Sequence, residues 1–267
     1  LFQRLVSSST AAILSAMEGR LDRLRYGEDN NIDNYANEFD NGLVDYDQTV
    51  DFENIYHAAG EGFADEEALL CDLIEQAKDC MQTEIDAKAD ALLKKYKELQ
   101  IEENDKDLKI LIFTEFRTTQ KMLFEFFKSN GYSCGVINGS QDLDTRQIAL
   151  ADFKNKSQIL IGTDAAGESL NMQFCHVIVN YDLPWNPMMI EQRIGRVDRI
   201  GQKNIVKAYN MLTNNSVDLR VYEVIEEKLN NILEQLGIDK TSDVLDSTLD
   251  VKKINQLYLQ SLLDPSK

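Results

Sequence analysis

Apolar positions change period along this chain, and the changes divide it into three zones. From residue 109 onward, short apolar runs at 110–113, 133–137, 158–161, 176–180 and 205–211 alternate with stretches whose apolar residues recur at three- and four-residue steps, at about 118–130, 144–154 and 187–199. Strands that are apolar throughout are covered on both faces. Their alternation with helices predicts an α/β fold, a parallel sheet with helices on each side. Asn130-Gly131 supplies a stop for the first of these helices. Parallel sheets of this kind bind ligands beyond the carboxyl ends of their strands. Thr114, Gly139, Thr163 and Asp182 follow four of the predicted strands and fall at that edge.

The preceding zone is helical. Ser7-Ser8-Ser9-Thr10 followed by an apolar, arginine-bearing run predicts a capped helix from about Thr10 to Arg25. Leu70, Ile74, Ala77, Met81, Ile85, Leu92, Tyr96 and Leu99 keep a helical period over 66–99 with no Gly or Pro between them. That stripe predicts one long helix or a helical hairpin arm, with its Met and Tyr as packing residues. The intervening stretch 27–65 is rich in Asp, Asn and Gly and reads as loop. A last helix is expected over about 217–236, ending at Gly237, followed by an amphipathic tail.

Charge refines this division. The net charge of −18 argues against nucleic acid until its distribution is considered. Residues 1–108 hold 10 Lys/Arg against 26 Asp/Glu, whereas 109–213 hold 12 against 10, a slight positive excess. There is no Lys or Arg between Tyr26 and Ala77. Such an acidic block repels phosphate and suits a solvated segment or a partner-facing surface. Four cysteines without CxxC spacing and only two histidines predict reduced thiols and no zinc or other metal site, and His176 reads as structural. No apolar run has the length of a membrane span. The start at Leu1, without a basic-then-apolar leader, reads as an internal piece of a longer cytoplasmic protein.

The most informative stretch is EQRIGRVDRIGQ at 191–202. On a continuous helix Gln192, Arg196 and Arg199 share one face, with Ile190, Ile194 and Val197 on the other. Such a helix packs its back on a sheet and presents two fixed guanidinium groups. A transferring phosphoryl group, whose transition state spreads charge over three oxygens, needs that arrangement. An ordinary surface helix pairing its arginines with Glu191 and Asp198 has the same spacing. The segments upstream decide between the two.

Those segments, in their order, resemble the second motor domain of superfamily 2 helicases. The likeness is to the Swi/Snf-type branch, and within it to the bacterial RapA-like ATPases. KILIFTEF at 109–116 looks like the strand that opens that domain (motif IV). INGS at 137–140, with Arg146 and Phe153 after it, looks like the segment following the next strand. ILIGTDAAGESLN at 159–171 looks like motif V, DLPWNP at 182–187 is Swi/Snf-like, and QRIGR with its RIGQ ending is motif VI. The likeness covers about 109–213.

The resemblance implies a RecA-like fold and a set of roles. Arg196 and Arg199 would reach the γ-phosphate of ATP, held with Mg mainly by a first motor domain. Gln192, Gly167 and Glu168 would lie on the nucleotide side. Thr163, Thr114, Gly139 and Arg146 would touch a nucleic-acid backbone. Arg193 departs from the polar face and is expected to be structural. The sequence has no G-x-x-x-x-G-K-[ST] and no acidic magnesium box, so the stretch by itself is expected to be inactive. The domain organisation that follows is a linker helix from the first motor domain at 1–26, an acidic loop and helical arm at 27–105, the helicase C-terminal domain at 106–237 and a helical tail at 238–267. The implied function is half of an ATP-driven translocase, on duplex DNA, with a further protein partner for the acidic arm. A strand-separating helicase and a non-enzymatic interaction module derived from a motor domain remain open.

Overall fold

The computed structural model describes residues 2–26, 66–163, 171–184 and 187–214, together with Leu219 and Tyr222. Apart from those two residues, the expected acidic loop, last helix and tail lie outside the described residues, as do Gly167, Glu168 and Trp185.

The predicted strands form as β1 (Ile110–Phe113), β2 (Cys134–Ile137), β3 (Ile159–Gly162), β4 (Val177–Asn180) and β5 (Lys207–Asn210). They make one sheet in the order β2-β3-β1-β4-β5, every neighbour parallel. β1, β3 and β4 are buried at every position. This is why they read as unbroken apolar runs and not as alternating ones.

Side-chain alternation sends Ile110, Ile112, Ile159, Ile161, Val177 and Val179 to one face. Leu111, Phe113, Leu160 and Ile178 go to the other. The first face is covered by α4 (Ala87–Glu102) and α5 (Arg117–Ser129), through Leu92, Leu93, Tyr96, Leu99, Leu123 and Phe127. The second is covered by α6 (Leu143–Asn155), through Phe153, and by Met172, Cys175 and Val197. α7 (Pro187–Ile194) follows β4, and its Ile194 joins this second layer. Gly131 adopts φ +85° after α5, where the chain turns into β2 and glycine carries no Cβ penalty.

Two helices precede this unit. α1 (Phe2–Ser8) was not expected from the sequence; α2 (Thr10–Tyr26) matches the capped helix, with Ser9 Oγ accepting the Ala12 amide at 3.1 Å. Leu5, Ala12 and Ala16 pack on Phe116, while Met17 and Leu21 pack on Leu70 and Ile74 of α3 (Glu66–Thr83).

The helical stripe at 66–99 is therefore not one continuous helix. It breaks at residues 84–86, where the Asp86 carboxylate caps α4 by accepting the Lys88 and Ala89 amides at 3.1 and 3.0 Å. An aspartate that satisfies backbone donors locally competes with helix continuation, without the Gly or Pro that would mark the break. The two halves also pack apart: α3 lies on α2, whereas α4 is buried on the sheet. Residues 87–102 thus share the core of the sheet and do not stand apart in an arm.

Candidate nucleotide and nucleic-acid site

The carboxyl edge of the sheet is set by backbone hydrogen bonds that run one residue beyond each strand. Thr163 N donates to Ile137 O at 3.1 Å, Thr114 N to Gly162 O at 3.0 Å and Tyr181 N to Phe113 O at 2.8 Å. Four loops are thereby placed side by side, in the sheet order of 138–140, 163, 114 and 181–182. Gln120, buried in α5, ties the first two: its amide donates to Ile137 O and Ile161 O at 2.9 and 2.8 Å, and its Oε1 accepts from Asn138 at 2.9 Å. Nothing in the local sequence singles Gln120 out, since its value lies in two carbonyls that only the sheet brings together.

Beyond β2 the edge is polar and open. Gly139 is exposed, and its carbonyl accepts from Arg146 Nη2 at 2.9 Å. Arg117, at the start of α5, donates to Ser140 Oγ at 2.9 Å, and Ser140 bonds Asn138 at 2.8 Å. Two arginines, a hydroxyl and an exposed glycine therefore converge on one turn, a donor set suited to a phosphate backbone. Arg117 and Ser140 were not among the residues the sequence pointed to; the signal available was their nearness to Thr114 and Gly139.

Thr114 is different. It is 0 % exposed, and its hydroxyl is given to the Asp182 carboxylate. Its hydroxyl is thus engaged within the protein: a threonine following a strand is open only if no neighbouring loop claims it, and here the loop after β4 does. Thr163 is also buried, immediately before the undescribed 164–170.

Motif VI departs from the expected continuous helix. α7 ends at Ile194, and residues 195–197 form a turn. Gln192 is therefore on the helix and exposed, Arg196 is half-buried in the turn, and Arg199 is exposed beyond it. The single helical face that the spacing implied does not form. The turn is held by Val197 N to Ile194 O at 3.0 Å and by Met172 N to Arg196 O at 3.1 Å. Arg199 Nε folds back on Gly195 O at 3.0 Å, so both arginines attach to one turn even without a shared helix. The Gln202 amide locks the exit by donating to Gln173 O, Cys175 O and Val197 O, each at 3.0 Å.

Arg193 is structural, as expected. It is 2 % exposed, its guanidinium lies 5.1 Å from the Phe113 ring centroid, and its Nη1 donates to Asn180 Oδ1 at 2.9 Å and Asp182 O at 3.0 Å. It pins α7 to the end of β4. A groove of ≈ 620 Å³ beside α6, lined by Leu150, Lys154, Phe174 and Gln202, adjoins the exit of the arginine turn through Gln202.

His176, also expected to be structural, closes the far end of the sheet with Glu103, at 2.6 Å. Cys134 and Cys175 have thiols pushed up to about 12 by burial, which leaves them as unreactive packing groups. Among the described residues no helix is long and apolar enough to cross a membrane, and no group of three or more His, Cys, Asp or Glu is placed to hold a metal ion.

A five-stranded parallel sheet with helices on both faces, and an arginine-bearing turn after the helix that follows β4, defines a RecA-like α/β domain. Comparison with known proteins makes the class specific. Residues 87–201 match the helicase conserved C-terminal domain, a match that begins at the first residue of α4. The uncharacterized ATP-dependent helicase YqhH of Bacillus subtilis is 42% identical over 131 residues, 49% of this chain and 24% of that protein. The ISWI chromatin-remodeling complex ATPase ISW1 of Saccharomyces cerevisiae is 33% identical over 155 residues, 57% of this chain and 13% of that protein. The solved C-terminal part of the Fun30 ATPase domain aligns with a TM-score of 0.50 and 20% identity, covering 93% of this chain and 71% of that one, a likeness of fold. Residues 87–201 thus resemble a helicase C-terminal domain, and chromatin-remodelling ATPases are among the proteins this stretch is similar to. The chain spans a quarter or less of the length of the two relatives, 24% and 13%.

Proposed function

We propose that this chain is the second motor domain of an ATP-dependent translocase on duplex DNA, of the RapA-like kind, working with a first motor domain in the same polypeptide. Arg196 and Arg199 meet the γ-phosphate, and Gln192 hydrogen-bonds nearby. Gly167 and Glu168 complete the nucleotide side, while Thr163, Gly139 and Arg146, joined by Arg117 and Ser140, follow the nucleic-acid backbone.

The observation that carries the reading is the anchored turn. A buried Arg193 fixes α7 to the sheet, Arg196 lies half-buried in the turn that follows, and Arg199 folds back on the same turn through Gly195 O. Two guanidinium groups and a carboxamide fit the terminal phosphates of a nucleotide, which are anionic and accept forked donors. They do not fit Mg, which requires oxygen ligands. ATP would supply the phosphoryl group; this chain's own part is to hold positive charge where negative charge develops.

The test is steady-state ATPase of the complete polypeptide with saturating duplex DNA. Arg196→Ala or Arg199→Ala lowers turnover by on the order of 10³ or more while ATP binding changes little, because the contact strengthens as the γ-phosphoryl group leaves. Lysine restores little, since a point charge lacks the fork. Near-parental turnover in folded alanine variants would sink the reading and favour a non-enzymatic module. Separation of a duplex during turnover would place the protein with strand-separating helicases instead.

A further inference from the structure

Two other parts of the chain meet at the Asp182 carboxylate, and two more reach it through Lys88 and the Asp182 carbonyl. Asp182 is 5 % exposed and follows β4. Its Oδ2 accepts the Thr114 hydroxyl and, at 3.1 Å, the Glu115 amide, both at the end of β1. Its Oδ1 lies 3.4 Å from Lys88 Nζ, in the first turn of α4. The same ammonium donates to Ser7 O, in α1, at 2.8 Å and stands 4.5 Å from the Tyr181 ring centroid. The Tyr181 hydroxyl donates to Asp86, the cap of α4, at 3.2 Å. Finally, the backbone carbonyl of Asp182 accepts from Arg193, which anchors α7.

The contacts around this point keep α1 close. Arg4 pairs with Glu115, and Ser8 and Ser9 each place their hydroxyl 2.8 Å from Thr119 Oγ1 of α5. Apolar packing permits sliding, but a largely covered ionic and hydrogen-bonded contact holds only at one distance and direction. Stability alone does not require it, since a buried ion pair is often no more stabilising than apolar side chains of similar volume.

We infer that Lys88 and Asp182 form a positioning joint, through which the placement of α1 sets the orientation of α7 and of the arginine turn that follows it. The inference rests on the reading of Arg196 and Arg199 as phosphate ligands. Neither Lys88 nor Asp182 touches the reacting atoms. Lys88 ties α1 to Asp182, the Asp182 carbonyl ties that link to Arg193 near the end of α7, and the turn follows directly. A shift of the arginines by about 1 Å is enough to lower turnover strongly.

The experiment is steady-state ATPase of the complete polypeptide with saturating duplex DNA and varied ATP, with a thermal melt for each variant. Lys88→Met lowers kcat by about tenfold or more and leaves KM for ATP within about twofold of the parent. Lys88→Arg recovers most of the loss, because a guanidinium still donates to both Ser7 O and Asp182. Lys88→Met added to the double variant Arg196→Ala/Arg199→Ala lowers turnover no further, since there is no longer a positioned arginine to misplace. A merely structural lysine would scale both backgrounds by the same factor.

Parental turnover in folded Lys88→Met, or equal factors in the two backgrounds, overturns the joint. If Lys88→Met lacks a cooperative melt, Lys88→Gln is measured in its place and judged by the same outcomes. If Arg196→Ala itself keeps its turnover, the phosphate-ligand reading fails and the joint fails with it. If Arg196→Ala is inactive while the Lys88 variants are active, the joint alone is wrong.

Discussion

Arg193 and Arg196 stand three residues apart and have opposite surroundings. Arg193 is buried against Phe113 and bonded to Asn180 and Asp182, whereas Arg196 lies half-buried in the turn. Removing Arg193 leaves two polar acceptors unmet and a cavity over the sheet. Arg193→Ala therefore lowers stability by about 3 kcal/mol, the sum of a lost charged hydrogen bond and lost packing. Chemical denaturation of the chain checks this; a loss below about 1 kcal/mol would show that α7 is held by its apolar side chains alone. Arg196→Ala, by contrast, is expected to leave the denaturation midpoint nearly unchanged and to act on turnover. The spacing of motif VI separated Arg193 from Arg196 and Arg199, but it did not reveal what Arg193 holds. Those partners are 11 and 13 residues away on another element.

At the scale of elements, α4 shows how helices are tied to the sheet at the end opposite the candidate site. Glu103, its C-cap residue, bonds His176 Nε2 at 2.6 Å and Lys207 Nζ at 2.9 Å, joining α4 to β4 and β5. Burial pushes the Glu103 carboxyl up, but hydrogen bonds from Lys207 and His176 outweigh it and hold the group below the ordinary 4.5. A carboxyl lowered in the folded state contributes stability that is present above the ordinary value and lost as pH falls through the lowered one. The melting temperature should thus fall as pH drops below 4.5, and Glu103→Gln should flatten part of that fall. A pH series of thermal melts for both proteins tests it. Identical slopes would mean the ion cluster contributes nothing to folding.

Elements also show where periodicity misleads. The stripe at 66–99 is helical throughout except at 84–86, where the Asp86 side chain captures amides that a helix would otherwise bond. The spacing of Gln192, Arg196 and Arg199 fits a helix, yet the helix stops at Ile194. Two distant groups hold the turn that follows: the Met172 amide takes the Arg196 carbonyl, and the Gln202 amide takes three carbonyls around it. Three of these four bonds join segments 24 or more residues apart, and such bonds leave no mark in a local repeat of apolar residues.

For the whole molecule, charge and packing divide the chain in different places. The acidic composition runs through residue 108, but the sheet's core already includes Ala89, Leu92, Leu93, Tyr96 and Leu99 of α4. We propose that 27–65 is the dispensable part of this acidic zone. Its deletion, with a short linker from α2 to α3, is expected to keep one cooperative melt, because Met17 and Leu21 already pack on Leu70 and Ile74. Partner binding or coupling to DNA should change more than basal turnover. Loss of the cooperative transition would show that 27–65 belongs to the fold. The 267-residue chain alone, lacking a P-loop and an acidic magnesium box, is expected to fold without hydrolysing ATP, and its net charge of −18 is expected to keep nucleic-acid affinity weak. Duplex-stimulated hydrolysis by the purified chain would contradict that.

The sequence by itself determined the strands, their burial on both faces and the parallel α/β architecture, because apolar runs and helical periods are local consequences of what each element must bury. It also determined the class, through the order of short motifs whose positions at strand ends are dictated by backbone connectivity. The tertiary structure decided the rest. It assigned Thr114 to Asp182, gathered Arg117 and Ser140 beside Gly139 and Arg146, ended α7 before Arg196, and joined Ser7, Lys88 and Asp182 at one point. Each of these depends on a polar group finding a partner far away in the chain. Hydrogen bonds and ion pairs are specific in distance and direction, so they are settled only once the apolar layers have placed the segments that carry them.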